Sequence, residues 1–187
     1  MRLILARHGE TIENREGILQ GPVIGTLSGK GKAQIKKLAL RLKGEKIDAI
    51  YSSDLKRAMD TAKEIAVFHP KTPFKIVKEL RETDVGCLEG KKGIEWTLGN
   101  RPKEFESLES MRKRAKKILA KAHKAHPTGT VLFVSHAGIN KMLARVILDI
   151  SLNKEPDQQP NAAISIFEIE KGKKPAILLE NSTKHLE

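Results

Sequence analysis

The sequence predicts an α/β fold, a three-layer α/β/α sandwich built on a mostly parallel central sheet. Short apolar runs alternate along the chain with longer segments in which apolar residues recur every three or four positions. The runs at 3–6 and 130–134 are almost wholly apolar, which is typical of parallel strands covered by helices on both faces. No repeat, low-complexity tract or long linker interrupts the 187 residues, so one domain over residues 1–187 is expected.

Strands and helices are expected in alternation, which is the order that builds such a sandwich. The predicted strands are Leu3–Ala6, Asp48–Tyr51, Thr130–Val134, Ala163–Ile169 and Ala176–Leu179. The predicted helices follow apolar stripes within 33–42, 55–66, 105–122 and 139–147, and the third should end before Pro127.

Two stretches, 83–103 and 150–161, have no clear period. The first contains four glycines, Gly86, Gly90, Gly93 and Gly99. Long loops without regular structure are usually functional, so residues 83–103 are predicted to form a lid or pocket wall.

The composition restricts partners and location. The formal net charge is +12, which could indicate a nucleic-acid partner, but only 4% of the residues are aromatic and none interleaves with the basic ones. A lysine-rich solvated surface is therefore favoured, and no nucleic acid is expected as a partner. No apolar run is long enough for a membrane span or a signal peptide, and the single cysteine, Cys87, is typical of a reducing compartment. A cytoplasmic protein is expected.

Two histidines follow the two buried strands. His8 comes two residues after the first strand, and His136 comes two residues after the strand that ends at Val134. In an open α/β sheet, ligands bind outside the carboxyl ends of the strands. If these two strands are neighbours, both imidazoles face one crevice.

Two arginines are expected at the same edge of the sheet. Arg7 precedes His8, and Arg57 lies in the first turn of the helix that follows a third strand. Guanidinium groups pair with phosphate oxygens, and a helix N-terminus also favours an anion. Nearby cations lower the pKa of a histidine, which keeps an imidazole neutral and nucleophilic near pH 7. The sequence therefore predicts a phosphate site with a histidine nucleophile.

Other chemistries fit these residues less well. The stretch 25–31 has neither the spacing nor the final Ser or Thr of a P-loop. A zinc site on His8 and His136 would lack a third ligand and would have arginines beside the cation, so no metal is expected. No serine or cysteine triad signature is present.

Five ordered blocks of sequence resemble the histidine phosphatase superfamily, the phosphoglycerate mutase-like group, over residues 2–165. They are Arg7-His8-Gly9-Glu10-Thr11 with Asn14 and Gln20-Gly21; Tyr51-Ser52-Ser53-Asp54-Leu55 with Arg57-Ala58; Leu80-Arg81-Glu82; Gly86-Cys87-Leu88-Glu89-Gly90; and Val134-Ser135-His136-Ala137-Gly138. Leu27-Ser28, Glu106-Ser107, Arg114 and Asn161 match between and after these blocks. The resemblance implies a phosphoglycerate mutase-like fold.

The resemblance also implies roles for individual residues. His8 would attack phosphorus and become phosphohistidine, and Glu82 would protonate the leaving oxygen and then activate water. Arg7, Arg57 and a protonated His136 would line the phosphoryl pocket in place of magnesium. Asn14, Gln20 and Gly21 would contact phosphate or substrate. No metal and no cofactor would be required.

The implied activity is a metal-independent phosphatase for a small phosphomonoester, with a small phosphorylated metabolite as its partner. The pattern is most similar to α-ribazole phosphatase and fructose-2,6-bisphosphatase. Mutases of the group are longer than this chain, which favours a phosphatase. A cofactor-dependent phosphoglycerate mutase is the alternative, and a non-catalytic anion or nucleic-acid binder is a further one. Glu13, Ile18, Ile24, Thr26 and Leu88 depart from the family around the pocket, which leaves the substrate open. A monomer or a homodimer would fit.

Overall fold

The computed structural model describes residues 1–22, 25–93, 100–152, 159–170 and 172–187. Its strands are β1 (Arg2–Arg7), β2 (Ala49–Ser52), β3 (Phe74–Ile76), β4 (Thr130–Ser135), β5 (Ile164–Glu168) and β6 (Ala176–Ser182). They form one sheet in the order β3-β2-β4-β1-β5-β6. β1, β2, β3 and β4 run parallel, and β5 is antiparallel to both of its neighbours. The predicted mostly parallel sheet is confirmed.

Helices cover both faces of this sheet. They are α2 (Gly29–Leu42), α3 (Lys56–Ala66), α4 (Leu108–Ala125) and α5 (Ala137–Leu148), and the short helix α1 (Ile12–Arg15), which has no buried residue, precedes them. Successive residues of a strand point to opposite faces, so Leu5 packs with α4 and α5 while Ile4 packs with α2 and α3. Both side chains are buried, and each contributes about 1.5–3 kcal/mol relative to an exposed one. The predicted three-layer α/β/α sandwich is confirmed.

Three local features differ from the prediction. α4 begins at Leu108 and not at Phe105, because the Ser107 side chain accepts the Ser110 backbone N–H at 3.1 Å and caps the helix there. Strand β3 was not predicted, since it has three residues at the sheet edge and its side chains are half-buried or exposed. Helix α1, a single turn capped by Thr11, is also too short to show a period.

The strand order explains why distant parts of the sequence meet. β1 lies beside β4 with Arg7 opposite Ser135, and β2 lies on the other side of β4 with Ser52 opposite Val134. The carboxyl ends of these three parallel strands therefore meet at one edge of the sheet. In the described part of the chain, no helix has the length and apolar character to cross a membrane.

Candidate active site

The two predicted histidines lie side by side at this edge of the sheet. The ring centroids of His8 and His136 are 5.1 Å apart, with an angle of 60° between the ring planes. Both side chains are buried, at 2% and 0% exposure. The His8 backbone N–H donates to the Ser135 carbonyl at 3.0 Å, which continues the pairing of β1 and β4 past the strand ends. The structure thus brings together the two residues that the sequence placed in one crevice.

The geometry around His8 leaves one ring nitrogen free to react. His8 Nδ1 lies 2.7 Å from the Gly9 carbonyl oxygen, which can only accept a hydrogen bond, so Nδ1 carries the proton. Burial, followed by the charges of Arg57 and Arg7, holds the pKa of His8 well below its ordinary value. The imidazole is therefore neutral at pH 7, and the lone pair is on Nε2.

His136 is also neutral before a phosphate enters, and its protonation during phosphoryl transfer stays a prediction. Burial lowers its pKa most, and the charge of Arg57 lowers it further. Its Nε2 lies 2.9 Å from Ser53 Oγ at the end of β2, while Nδ1 has no hydrogen-bond partner among the described residues. A neutral imidazole still has one N–H to donate to an anion.

Two guanidinium groups, of the buried Arg57 and the half-buried Arg7, lie close to the histidines. Arg57, in the first turn of α3, is 1% exposed, and its Nη2 donates to the Gly21 carbonyl at 2.8 Å. Burial lowers the pKa of Arg57 to about 10, so this side chain is still charged at pH 7. Arg7 ends β1, and its Nη1 donates to the backbone carbonyl of Gln159. The cation pair that the sequence predicted is present.

Glu82 lies at the same crevice although it is far from the histidines in sequence. Its Oε1 accepts the Thr83 backbone N–H at 2.8 Å, and its Oε2 accepts the Gly138 N–H of the first turn of α5 at 3.2 Å. Burial lowers the pKa values of Arg7 and Arg57, and the nearby charge of Glu82 opposes this shift in both, so the carboxylate lies close to both. Only the family resemblance pointed to this residue, because a carboxylate on an aperiodic loop gives no local signal.

Asn14, Gln20 and Gly21 lie around the base of the crevice. Asn14 Oδ1 accepts a hydrogen bond from Asn161 Nδ2 at 3.1 Å, and Asn161 Nδ2 also lies 3.3 Å from the His8 carbonyl oxygen. Gly21 has φ +54°, and its carbonyl holds Arg57. Gln20 Oε1 is buried without a hydrogen-bond partner in the part of the chain that the structure describes. Asn14 and Gly21 thus contact the groups that surround the histidines.

The loop that carries His8 is fixed against α2. The Ser28 N–H donates to the Glu10 carbonyl at 3.0 Å, and Ser28 Oγ donates to the Glu10 carboxylate at 2.8 Å. Gly31, in the first turn of α2, lies so close to the Glu10 backbone that a Cβ atom would clash with it. The Gly9 N–H donates to Thr61 Oγ1 of α3 at 3.3 Å. Contacts with both helices therefore hold the nucleophile loop in place.

A cavity of about 520 Å³ opens beside Glu82. Basic and acidic groups both line it, among them Arg81, Arg114, Glu82 and Glu106. Asp84 and Gly86, from the stretch 83–103, also line the cavity, but residues 94–99 lie outside the described residues, so a lid or pocket wall there stays a prediction. Among the described residues, no group of three His, Cys, Asp or Glu side chains is arranged to hold a metal ion.

The depressed pKa of His8 predicts a specific pH dependence of stability. The unfolded chain takes up a proton on this histidine near pH 6.5 while the folded chain does not, so the free energy of unfolding falls as the pH drops below 6.5. The expected slope is about 1.4 kcal/mol per pH unit for His8. Urea unfolding from pH 8 to 5 should show a shallower slope for His8→Gln than for the wild type, with parallel curves above pH 7.5. Equal slopes at all pH values would contradict the depressed pKa.

Comparison with known proteins places the chain in a family. Residues 3–183 match the sequence model of the histidine phosphatase superfamily (branch 1). Phosphoserine phosphatase 1 of Hydrogenobacter thermophilus is 34% identical over 204 residues, covering 100% of this chain and 94% of that protein. The 2,3-bisphosphoglycerate-dependent phosphoglycerate mutase of Thermoplasma acidophilum is 30% identical, covering 91% and 88%.

A solved structure shows the same fold. It is the phosphoserine phosphatase of Entamoeba histolytica in complex with 3-phosphoglyceric acid, with a TM-score of 0.83, 29% identity, and coverage of 99% of this chain and 98% of that one. The architecture and the match over nearly the whole sequence agree with the paired histidines and arginines of the crevice. The chain belongs to the histidine phosphatase superfamily.

Proposed function

We propose that this protein is a phosphatase that hydrolyses a small phosphomonoester through a phosphohistidine formed on His8 Nε2. The observation that carries the proposal is a neutral histidine, with its lone pair on Nε2, beside the half-buried Arg7 and the buried Arg57, which stays charged at pH 7. Such a site binds a phosphate dianion and holds a nucleophile beside it.

In the first step, the Nε2 lone pair of His8 attacks phosphorus and the bond from phosphorus to the ester oxygen breaks. Charge develops on the three equatorial oxygens, where Arg7, Arg57 and the N–H of His136 stabilise it. The carboxyl group of Glu82 gives its proton to the leaving oxygen, so an alcohol departs. In this proposal Glu82 takes up that proton as the ester binds, and it ends the step as a carboxylate.

In the second step, water attacks the phosphohistidine. The carboxylate of Glu82 takes a proton from the water, the bond between phosphorus and Nε2 breaks, and inorganic phosphate leaves. His8 and Glu82 then return to their starting protonation states. Asn14, Gln20 and Gly21 serve in this proposal as contacts for the phosphate or the substrate.

Similarity to phosphoserine phosphatases favours phosphoserine as the first substrate to test. The cavity beside Glu82, where the leaving group would lie, has both cationic and anionic side chains. Such a lining suits a small leaving group that carries charges of its own.

A phosphoglycerate mutase is the second candidate, because one 30% identical relative is a mutase. The two functions differ in the acceptor of the phosphoryl group, which is water in a phosphatase and a phosphoglycerate in a mutase. Phosphate release from phosphoserine, 3-phosphoglycerate and p-nitrophenyl phosphate should be measured beside the interconversion of 3- and 2-phosphoglycerate primed with 2,3-bisphosphoglycerate. We expect phosphate release. Isomerisation without release of phosphate from any of the esters would contradict the phosphatase proposal.

Chelation of metals should leave the activity unchanged. The positive charge that phosphoryl transfer requires is supplied by Arg7 and Arg57, which are part of the chain and cannot be removed by EDTA. Turnover should be measured before and after dialysis against EDTA, and again after addition of Mg²⁺ or Zn²⁺. Activity that is lost with EDTA and restored by one metal would show that another chemistry operates.

A further inference from the structure

Arg114 of α4 uses its whole guanidinium group to hold the segment that ends at Glu82. Its Nη1 donates to the carbonyl oxygens of Glu79 at 2.9 Å and Arg81 at 2.6 Å, and its Nη2 is 3.3 Å from the carbonyl oxygen of Glu82. Its Nε and Nη2 donate to the two carboxylate oxygens of Glu106 at 2.9 and 2.7 Å. One side chain thus ties three backbone carbonyls to α4.

Glu106 in turn holds Arg114 in this orientation. The two side chains are only 15% and 16% exposed, and they pair through two parallel hydrogen bonds, the strong geometry for this ion pair. Glu106 also accepts the Ser110 hydroxyl at 2.8 Å, and its backbone N–H donates to the Asp84 carbonyl at 2.7 Å. Burial acts to raise the pKa of Glu106, but hydrogen bonds and charge from Arg114 keep it below its ordinary value, so the pair is ionised at pH 7.

These contacts bear on the position of the Glu82 carboxylate. The carboxylate oxygens of Glu82 accept hydrogen bonds from the N–H groups of Thr83 and Gly138, whereas its backbone carbonyl accepts one from Arg114. The segment has no strand or long helix to stiffen it, only the short 3₁₀ turn Lys78–Leu80. A displacement of about 1 Å can cost on the order of 10²-fold in rate. A side chain that fixes this backbone therefore fixes the reach of the carboxyl group.

We infer that Arg114, oriented by Glu106, is a positioning residue for Glu82 in its role as the proton donor to the leaving group. The inference rests on the proposed function, and it makes a prediction that a purely structural role does not. Loss of the hydrogen bonds from Arg114 should slow the hydrolysis of esters whose leaving group needs a proton. Hydrolysis of esters whose leaving group departs as an anion should be little affected.

Two aryl esters of similar shape separate these cases. Phenol has a pKa of about 10, like tyrosine, whereas p-nitrophenol is a much stronger acid and leaves without help. We expect Arg114→Met to lower kcat/KM for phenyl phosphate by about 10²-fold and for p-nitrophenyl phosphate by less than about threefold. In the Glu82→Gln background the same substitution should add little further loss, since both changes remove one function.

The neighbouring turn of α4 offers a matched control. Lys117 Nζ pairs with the Glu79 carboxylate at 2.8 Å, and its side chain is 72% exposed. Lys117→Met removes a cation of α4 that pairs with the segment ending at Glu82, but it leaves the hydrogen bonds to the backbone carbonyls in place. The ratio of the two kcat/KM values should therefore stay at its wild-type value. Arg114→Lys keeps the charge but cannot supply five hydrogen bonds, so it should shift the ratio as Arg114→Met does.

The outcomes separate the inference from the function on which it rests. If Arg114→Met loses both activities equally, or neither, while its thermal unfolding stays cooperative, the positioning role is wrong. If Arg114→Met does not fold, the ratio measured for Arg114→Lys decides by the same criterion. A wild type that hydrolyses neither ester would overturn the phosphatase proposal itself, whereas normal turnover with an unmoved ratio would overturn only this inference.

Discussion

Replacement of His8 by asparagine is expected to reduce turnover by roughly 10⁴-fold or more, which is the scale of loss when a covalent nucleophile is removed. Asparagine can still donate an N–H to the Gly9 carbonyl, as His8 Nδ1 does, but it has no lone pair in place of Nε2. The covalent route through phosphohistidine is therefore closed while the local hydrogen bond has a substitute. The fold should remain intact.

Two measurements check this result. The wild type, quenched during turnover with a phosphate-labelled substrate, should carry label that is lost in acid and kept in alkali, as expected of a bond between phosphorus and nitrogen. His8→Asn should carry none. His126→Asn is the matched control, since His126 lies at the end of α4 and contacts the Tyr51 hydroxyl at 3.4 Å, away from the crevice. Substantial turnover by a correctly folded His8→Asn would disprove the covalent mechanism.

Replacement of Arg57 by methionine is expected to have the second-largest effect, a loss of about 10²–10³-fold in kcat. The guanidinium would contact the phosphoryl oxygens as charge develops on them, and a methionine of similar length leaves that charge without its cation. A second effect should accompany the loss. The charge of Arg57 helps to lower the pKa values of His8 and His136, so both pKa values should rise when it is removed.

The protonation of His8 sets the direction in which the pH profile of activity should shift. His8 attacks only when its imidazole is neutral, so a higher pKa means that activity is lost at a higher pH on acidification. The acidic limb of the kcat/KM profile should move to higher pH in Arg57→Met, whereas Arg57→Lys should keep the limb near its wild-type position because the charge remains. Lys56→Met is the control, since the adjacent Lys56 side chain is 60% exposed and pairs with Asp60. A profile of Arg57→Met with an unmoved acidic limb would contradict the electrostatic argument.

The candidate site was predictable where a residue follows a regular element. His8 and His136 follow strands whose apolar runs are unmistakable, and Arg57 begins a helix with a clear stripe. That the three residues lie together depends on the order of the strands in the sheet, and this order cannot be predicted from the spacing of residues in the sequence. β4 inserts between β1 and β2, and this arrangement brings the three strand ends together.

Residues that act through loops were less accessible. Glu82 was identified by family resemblance alone, and no pattern in the sequence indicated that Gly138 would donate to its carboxylate. The same holds for Ser53, which contacts the imidazole of His136. In each case the two partners are far apart in sequence, so their contact depends on how the strands and loops assemble.

By itself, the sequence determined the alternation of strands and helices, the mostly parallel sheet and the identity of the nucleophile candidate. Apolar periodicity encodes which face of an element is buried, and that information is local. The tertiary structure alone decided the protonation of the site. In the ligand-free chain His136 is neutral because burial and the neighbouring Arg57 together oppose a positive charge on its ring. The pKa of a side chain depends on every charge and on all the solvent around it, and this environment exists only once the chain has folded.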